Sequence, residues 1–258
     1  MLNIYPIKAF SDNYIWIIQD TAGHAVVVDP GDEEPVIDYI EQNGLQLKAI
    51  LITHKHGDHV GGIADLKQHY PEAVVYGPAR EAIRGIDKTL VEGDTVSFVE
   101  PECRFEVMDV PGHTEGHIAY YGHGVLFCGD TLFACGCGRV FSGTFEQLHD
   151  SLKKISNLPP ETLVYCAHEY TQDNIGFAKW VEPENSALLA RERDASSIRQ
   201  QGLPTVPSSL QLELETNPFL RDQEPKVRQA AERYIGKSLD SGTEIFTAIR
   251  RWKDSEYD

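Results

Sequence analysis

The stretch His54-Lys-His-Gly-Asp-His59 places three imidazoles and one carboxylate within six residues. The run from Ala49 to Thr53 leads into it and predicts a strand. Side chains two residues apart on an extended segment share a face, so we expect His54 and His56 to point the same way. This density of metal-binding side chains predicts a metal site, and the alternative is a polar loop with solvated histidines.

Glycines divide this cluster into two ligand pairs. Gly57 and the Gly61-Gly62 pair predict a sharp turn before a helical stretch that begins near Ile63. Asp58 and His59 lie in the turn and are expected to diverge from the first pair. The arrangement is typical of two metal ions rather than of the single ion held by a helical His-Glu-x-x-His motif, whose histidines are four residues apart.

Three further candidate ligands follow predicted strands. His113 comes after the run 107–110, Asp130 after 125–128, and His168 after 162–166. Loops at strand ends often carry functional side chains. Each residue alone is also compatible with a structural role, and the interpretation as ligands depends on the cluster at 54–59.

In chain order, these segments resemble the five sequence motifs of the metallo-β-lactamase superfamily: Val-Val-Asp29-Pro-Gly, Thr-His-x-His-x-Asp-His, Pro-Gly-His113-Thr, Gly-Asp130-Thr and Ala-His168-Glu-Tyr. Further segments are similar to glyoxalase II, the hydroxyacylglutathione hydrolase family: Gly136-Cys-Gly-Arg139, Cys166 to Thr171, Asn217-Pro-Phe-Leu-Arg221 and Arg250-Arg-x-Lys253-Asp254. The resemblance covers essentially the full chain.

The resemblance implies an α/β fold, an αββα metallo-β-lactamase-like sandwich followed by a smaller all-helical C-terminal domain. It also implies two divalent metal ions per chain. The first would be bound by His54, His56 and His113, and the second by Asp58, His59 and His168, with Asp130 bridging them. Asp29 would contact a ligand without touching a metal. Zinc is the expected metal, although histidine and carboxylate ligands also accept iron or manganese.

The activity that the resemblance implies is hydrolysis of S-D-lactoylglutathione to D-lactate and glutathione, the second step of methylglyoxal detoxification. Two cations sharing Asp130 would lower the pKa of a shared water from about 15.7 toward about 7, and the resulting bridging hydroxide would attack the thioester carbonyl. Asp58 and Asp130 are the expected catalytic residues. A thiolate with a conjugate-acid pKa near 8.5 leaves without a strong general acid, so Cys137 is expected to be structural.

The substrate contacts implied by the family pattern are Arg139, Phe141, Tyr170, Arg250 and Lys253. Phe141 stands where many relatives carry a tyrosine, so a phenol contact to glutathione is expected to be absent. We expect Arg250 and Lys253 to be partly exposed and to bind the charged peptide part of the substrate. The alternative for this basic segment is a solvated helix end favoured by the helix dipole.

Composition is compatible with this reading. The chain has 258 residues, a net charge of −17 and five cysteines without framework spacing. The charge argues against binding to nucleic acid or to a membrane surface, and the odd cysteine number favours a reducing compartment. With no apolar span and no signal pattern at the N-terminus, we expect a cytoplasmic protein, and we expect it to be a monomer.

Periodicity divides the chain into a strand-rich part and a helical part. The predicted domains are a catalytic domain, 1–173, and a helical substrate-binding domain, 174–258. Strands are predicted at intervals between residues 2 and 128. Helices are predicted between them at 34–43 and 63–70, and after them at 145–155. After residue 173 the pattern contains no strong strand candidate, and capping boxes are predicted at Ser208-Ser-Leu-Gln211 and Ser241-Gly-Thr-Glu244.

Four alternative functions are also compatible with metal-binding side chains of this kind. A β-lactam hydrolase would lack the helical tail and be exported, and an RNA-processing nuclease would carry a basic docking surface. A mononuclear iron glutathione persulfide dioxygenase would use fewer than the seven ligands predicted here. A non-catalytic metal-binding protein would bind metal without turnover. Metal analysis combined with a thioester hydrolysis assay distinguishes them.

Overall fold

The computed structural model describes residues 2–257 of the chain. Contacts between Cα atoms divide the chain into two compact units, one formed by residues 1–109 and 114–129 and the other by residues 110–113 and 130–258. This division reflects spatial contacts and leaves the proposed sequence domains, 1–173 and 174–258, as a prediction. No helix within residues 2–257 is both long enough and apolar enough to cross a membrane.

The first unit contains a mixed sheet of six strands in sequential order: β1 Asn3–Ala9, β2 Asn13–Gln19, β3 His24–Val28, β4 Gln46–Leu51, β5 Val74–Pro78 and β6 Lys88–Leu90. The pairs β1·β2 and β2·β3 are antiparallel, whereas β3 to β6 are parallel. Residues 14–18 of β2 are buried without alternation, as expected for a strand covered on both faces.

Helices cover one face of this sheet. They are α1 Glu34–Asn43, α2 Gly57–Val60 and α3 Ile63–His69. Val36 and Ile40 of α1 and Leu66 of α3 pack in one apolar cluster with Ile17 and Ile50 of the strands. Helix α1 is capped at its C-terminus by Gly44, whose left-handed φ of 61° is accessible to glycine without a side-chain clash.

Four antiparallel strands in the same unit form a second sheet layer: β7 Thr95–Val99, β8 Glu102–Asp109, β9 Ile118–Gly122 and β10 Val125–Gly129. The fully buried Tyr120 donates a hydrogen bond from its hydroxyl to the Ile52 carbonyl at 2.8 Å. The Ile118 amide donates to the Thr53 carbonyl at 3.0 Å. These bonds connect the second sheet layer to the segment that carries the histidine cluster.

The second unit contains a two-stranded hairpin, β11 Leu132–Phe133 and β12 Gly136–Cys137, and the pair β13 Leu163–Cys166 and β14 Ser208–Ser209. Its helices are α4 Phe145–Ser156, α5 Thr171–Val181, α6 Ser186–Gln200, α7 Leu210–Thr216, α8 Pro225–Ile235 and α9 Gly242–Trp252. A 3₁₀ turn, Pro218–Leu220, follows α7, and a π turn, Lys253–Tyr257, follows α9. The predicted α/β class with a helical C-terminal region is confirmed.

One of the two predicted capping boxes is present at the start of its helix, and at the other helix the capping residue is shifted by one position. The box at Ser241 and Glu244 is confirmed, with the Glu244 amide donating to the Ser241 hydroxyl at 3.2 Å. The box predicted from Ser208 is wrong by one residue, because Ser209 caps α7 and accepts from the Leu212 amide. Ser208 instead lies in β14 and donates its hydroxyl to the Glu213 carboxylate.

Candidate metal centre

The first ligand pair lies in the extended segment after β4. His54 is fully buried, and its Nε2 lies 3.1 Å from Nδ1 of His56. The other ring nitrogen of His54, Nδ1, lies 3.1 Å from the Thr53 hydroxyl. The two imidazoles therefore converge through one nitrogen each, as the two-residue spacing predicted.

The second pair begins where α2 turns the chain. His56 is still extended, whereas Gly57 starts the helix, so the backbone changes direction before Asp58 and His59. The His59 ring nevertheless lies 4.1 Å from the His54 ring, so the expected divergence of the two pairs is wrong for this residue. The Asp58 Oδ2 atom lies 3.4 Å from Nε2 of the fully buried His59. A Cβ atom on Gly31 would lie 1.9 Å from the Asp58 carbonyl oxygen, so only glycine permits this close approach of the two loops.

Asp29 contacts His59 of the second pair directly and is connected to His54 of the first pair through Thr53. Its Oδ1 accepts the Thr53 amide at 2.8 Å, and its Oδ2 accepts the Thr53 hydroxyl at 2.7 Å. The same Oδ2 lies 3.0 Å from Nδ1 of His59. Asp29 is buried and has a left-handed φ of 52°, a conformation that aspartate adopts more readily than most residues. It contacts His59 on the ring nitrogen opposite the one that faces Asp58.

In the second unit, a single carboxylate lies between two imidazoles. Asp130 Oδ2 is 3.5 Å from Nε2 of His113, and Asp130 Oδ1 is 3.3 Å from Nε2 of His168. All three side chains are buried. The opposite nitrogen of His113, Nδ1, lies 2.8 Å from the Arg139 carbonyl oxygen, which can only accept, so Nδ1 is the donor of this hydrogen bond. Each oxygen of Asp130 thus faces a different histidine.

These separations fit ligands of a common cation. Tetrahedral coordination at about 2.0–2.1 Å from zinc places two ligand atoms about 3.3 Å apart. The four pairwise distances, two in each unit, lie between 3.1 and 3.5 Å. In His59 and His113 the second ring nitrogen contacts a carboxylate or a carbonyl, which is typical of metal-binding histidines. The donor set therefore fits divalent metal ions.

Three of the predicted substrate residues expose side-chain surface in the second unit. Phe141 is 65% exposed, and its ring contacts His113 edge-on at 5.2 Å. Tyr170 is 36% exposed and stacks on His168 with ring centroids 4.7 Å apart. The Arg139 side chain is 52% exposed. Two of these three side chains thus lie directly against predicted metal ligands.

The other two predicted substrate residues are buried, so the expectation of partial exposure is wrong. Arg250 is 1% exposed and donates to the Cys137 carbonyl at 3.0 Å and to the Asp254 carboxylate at 2.9 Å. Lys253 is 5% exposed, with Nζ 3.5 Å from Asp173 Oδ2. Arg250 belongs to α9 and Lys253 begins the π turn, so a solvated basic helix end does not describe these two residues, although the neighbouring Arg251 is exposed.

The cysteines are not suited to nucleophilic chemistry. All five are free and buried. Burial raises the pKa of the Cys137 thiol to about 11, although the neighbouring Arg250 opposes part of this shift. Burial likewise raises the pKa of Cys135 to about 11. A neutral thiol is a poor nucleophile, which agrees with the structural role expected for Cys137.

Three side chains around the first unit's ligands were missed from the sequence. Thr53 connects Asp29 to His54, and its position directly before the cluster was a usable signal. Asn13 donates its amide to Asp58 Oδ2 at 3.0 Å across 45 residues of sequence, so no local pattern predicts it. His117 is buried and stacks on His54 with ring centroids 4.5 Å apart.

Two family models together match nearly the whole chain. The family model described as the metallo-beta-lactamase superfamily matches residues 10–168, and the one described as the hydroxyacylglutathione hydrolase C-terminus matches residues 169–256. A hydroxyacylglutathione hydrolase from Nitrosomonas europaea is 51% identical over 255 residues, covering 99% of this chain and 97% of that protein.

Two solved structures extend the comparison. ETHE1 from Myxococcus xanthus is similar with a TM-score of 0.68 and 25% identity, covering 100% of this chain and 93% of that chain. TTHA1623, whose structure is of a di-iron-bound form, is similar with a TM-score of 0.60 and 27% identity, covering 84% of this chain and all of that chain.

Proposed function

Because the chain belongs to the metallo-β-lactamase superfamily and, within it, to the hydroxyacylglutathione hydrolases, we propose that it hydrolyses S-D-lactoylglutathione to D-lactate and glutathione. The observation that carries the proposal is Asp130, whose two carboxylate oxygens face the imidazoles of His113 and His168. A carboxylate in this arrangement suits two cations, one on each oxygen. The proposed activity is that of a binuclear thioester hydrolase.

The proposed ligands are the seven residues expected from the sequence. His54, His56 and His113 would hold one ion, Asp58, His59 and His168 the other, and Asp130 both. Zinc is the proposed metal, because imidazole and carboxylate suit it and the ligand separations match its bond lengths. Iron is the principal competitor, since the similar TTHA1623 binds two iron ions.

Bound metal ions would supply a nucleophile from water near neutral pH and an electrophile for the thioester oxygen. The protein's contribution is to orient the side chains that would bind the metal ions. Asp29 holds the His59 ring and the Arg139 carbonyl holds the His113 ring, so both side chains are oriented before metal binds. The Asp58 side chain is 39% exposed and is proposed to pass the proton of the attacking water to solvent.

The leaving group needs little assistance from the protein. A thiolate with a conjugate-acid pKa near 8.5 departs without a strong acid. The neutral, buried Cys137 and Cys135 offer no covalent alternative. Hydrolysis by direct attack of water therefore agrees with the protein groups available.

The glutathione part is proposed to bind to side chains of the second unit. Arg139 and Lys253 supply positive charge in a protein whose net charge is −17. Tyr170 and Phe141 present exposed ring surface. Arg250 is proposed to contribute its charge from a buried position, while it holds the Cys137 carbonyl. The phenyl ring of Phe141 supplies contact area without a hydroxyl contact.

The proposed experiment measures metal content and turnover together. We expect close to two metal ions per chain and hydrolysis of S-D-lactoylglutathione. His59→Ala should lose one metal ion and the activity. His69 is exposed on α3 and serves as the control, so His69→Ala should retain both metal ions and the activity. One tightly held iron with oxygen consumption on glutathione persulfide would favour the dioxygenase, and two ions without turnover would favour a non-catalytic metal-binding protein.

We also propose that the protein acts as a cytoplasmic monomer and does not bind nucleic acid or a membrane surface. The charge of −17 supports the second part, because polyanions and anionic lipids repel an acidic protein. Light scattering of the purified protein would test the monomer. Expression of residues 1–173 and 174–258 as separate chains would test the proposed domain boundary.

A further inference from the structure

The β11–β12 hairpin has an unusual backbone for so short an element. Its two strands contain two residues each, and Leu132 pairs with Cys137 and Phe133 with Gly136. At the turn, Cys135 has a left-handed φ of 58°, which is disfavoured for any residue with a side chain other than asparagine or aspartate. Such a conformation persists only where surrounding contacts determine it.

Side chains from the helices supply those contacts by binding the backbone of the hairpin directly. Asn217 donates its amide to the Phe133 carbonyl at 3.2 Å and to the Gly136 carbonyl at 2.9 Å. Asn174 of α5 donates to the Ala134 carbonyl at 3.0 Å. Glu213 of α7 accepts the Cys135 amide at 2.8 Å. Four successive residues of the hairpin are thus held by three buried side chains.

These side chains are themselves fixed. Glu213 is fully buried and forms an ion pair with Arg191, whose guanidinium also donates to the Thr216 hydroxyl at 2.7 Å. Asn217 donates to the same Glu213 carboxylate at 3.2 Å. A buried charge with a partner and several hydrogen bonds favours one arrangement of its neighbours. The network therefore offers the hairpin a single backbone position.

The hairpin and the residues after it contact the proposed metal ligands of this unit. The Phe133 ring meets the His168 ring edge-on at 5.7 Å. The Arg139 carbonyl accepts from Nδ1 of His113 at 2.8 Å. At Gly138, a Cβ atom would lie 2.9 Å from the same His113 nitrogen and 2.0 Å from the Asp130 carbonyl oxygen, so this backbone lies directly against two of the ligands.

We propose that Asn217, Asn174 and Glu213 are positioning residues for the metal ligands, acting through the hairpin they hold. The helical part of the chain would then have a second role beyond substrate binding, because it sets the orientation of His113 and His168. The inference rests on the proposed function, since it takes His113, Asp130 and His168 as ligands. Contacts that orient metal-binding histidines typically change metal affinity by about 10- to 100-fold.

The test compares two asparagines with matched roles. Asn217→Asp keeps the oxygen that accepts the Phe219 amide, removes the amide that binds the hairpin and turns its second carboxylate oxygen toward Glu213, so Asn174→Ala is measured beside it as the variant that adds no charge. Asn185→Asp likewise keeps the oxygen that caps α6 and removes an amide donated to the Glu215 carbonyl at 2.9 Å, away from the hairpin. Each variant is titrated with Zn²⁺ against a chelating dye, and the melting temperature of each metal-free protein is measured.

Zinc affinity of Asn217→Asp is expected to fall by about 10- to 100-fold, whereas that of Asn185→Asp stays within about twofold of the parent. In the metal-free protein, ¹⁵N spectra of the histidine rings should report a changed environment for Nδ1 of His113 in the first variant only. Asn174→Ala, which removes a single donor, is expected to reproduce the ring shift and a smaller loss of affinity if Asn217→Asp does not fold.

Equal zinc affinity in the parent and in folded Asn217→Asp would overturn the positioning role. So would a loss of the same size in Asn185→Asp, because the effect would then follow general stability. If Asn217→Asp does not fold, unchanged zinc affinity in Asn174→Ala would overturn it equally. A parent chain that binds no zinc and no other divalent ion would instead contradict the proposed function and, with it, this inference. The two failures are therefore distinguishable in one series of titrations.

Discussion

The burial of Arg250 predicts that replacing it with alanine destabilises the fold as well as weakening substrate binding. Its guanidinium is 1% exposed, donates to the Cys137 carbonyl at 3.0 Å and to Asp254 at 2.9 Å, and lies 5.1 Å from the centre of the Phe219 ring. The neighbouring Arg251 is exposed and lies 5.1 Å from the Phe145 ring. The two residues therefore form a matched pair on one helix.

The contacts give the expected magnitude. A hydrogen bond from a charged donor contributes about 1.5–3 kcal/mol, and stacking on a buried ring contributes about 1–2 kcal/mol. The ion pair adds less than about 1 kcal/mol, because the Asp254 side chain is 31% exposed. Together these contacts predict a loss of about 3–5 kcal/mol for Arg250→Ala. Arg251→Ala should lose about 0.5–1 kcal/mol, the value of an exposed cation–π contact.

Urea unfolding of the metal-free proteins at pH 7 measures this difference. Measuring without metal separates the stability of the fold from the free energy of metal binding. The expected difference between the variants is at least about 2 kcal/mol, a factor of about 30 in the folding equilibrium. Equal losses for Arg250→Ala and Arg251→Ala would refute the reasoning, since they would mean that the buried contacts contribute no more than a surface one.

Three further predictions follow from single contacts. Asp130→Ala should abolish turnover and metal retention, whereas Cys137→Ala should retain both; a dead cysteine variant with its metals bound would require a thiol mechanism. A hydrogen bond from His149 holds the pKa of Asp222 below its ordinary value of 3.8, so Asp222→Asn should cost about 1.5–3 kcal/mol of stability at pH 7. This contribution is fully present above about pH 4 and declines as the pH falls through the lowered pKa, so urea unfolding should show a smaller cost at pH 3 than at pH 7. Lys253→Ala should raise KM by about tenfold with kcat preserved, because a remote contact binds ground and transition states equally, and an unchanged KM would remove it from the site.

The sequence was sufficient where function depends on residues close together in the chain. The spacing of His54, His56, Asp58 and His59 predicted two pairs, and the structure has the contact within each pair. The reason is local: an extended segment followed by a glycine turn fixes side-chain directions whatever the rest of the fold does. For the same reason the capping box at Ser241 was identified correctly. The predicted divergence of the pairs is wrong for His59, whose ring lies 4.1 Å from that of His54.

Contacts that depend on distant segments were not predictable from this pattern. Asn13 reaches Asp58 from the start of β2, and Glu213 reaches the Cys135 amide from α7, 78 residues away. A polar residue reads as surface in a local pattern, yet here each is buried with a partner. The hairpin strands are also too short for their alternation to be recognised.

The basic side chains proposed to bind glutathione already have acidic partners. Arg139 Nε lies 3.9 Å from Asp254, which also pairs with Arg250, and Lys253 lies 3.5 Å from Asp173. An anionic substrate would therefore exchange one partner for another rather than neutralise an isolated charge. Such an exchange yields a modest gain in binding free energy per contact, because the new ion pair replaces an existing one. The net charge of −17 does not prevent this exchange, because repulsion from carboxylates more than about 8 Å away is largely screened at physiological salt.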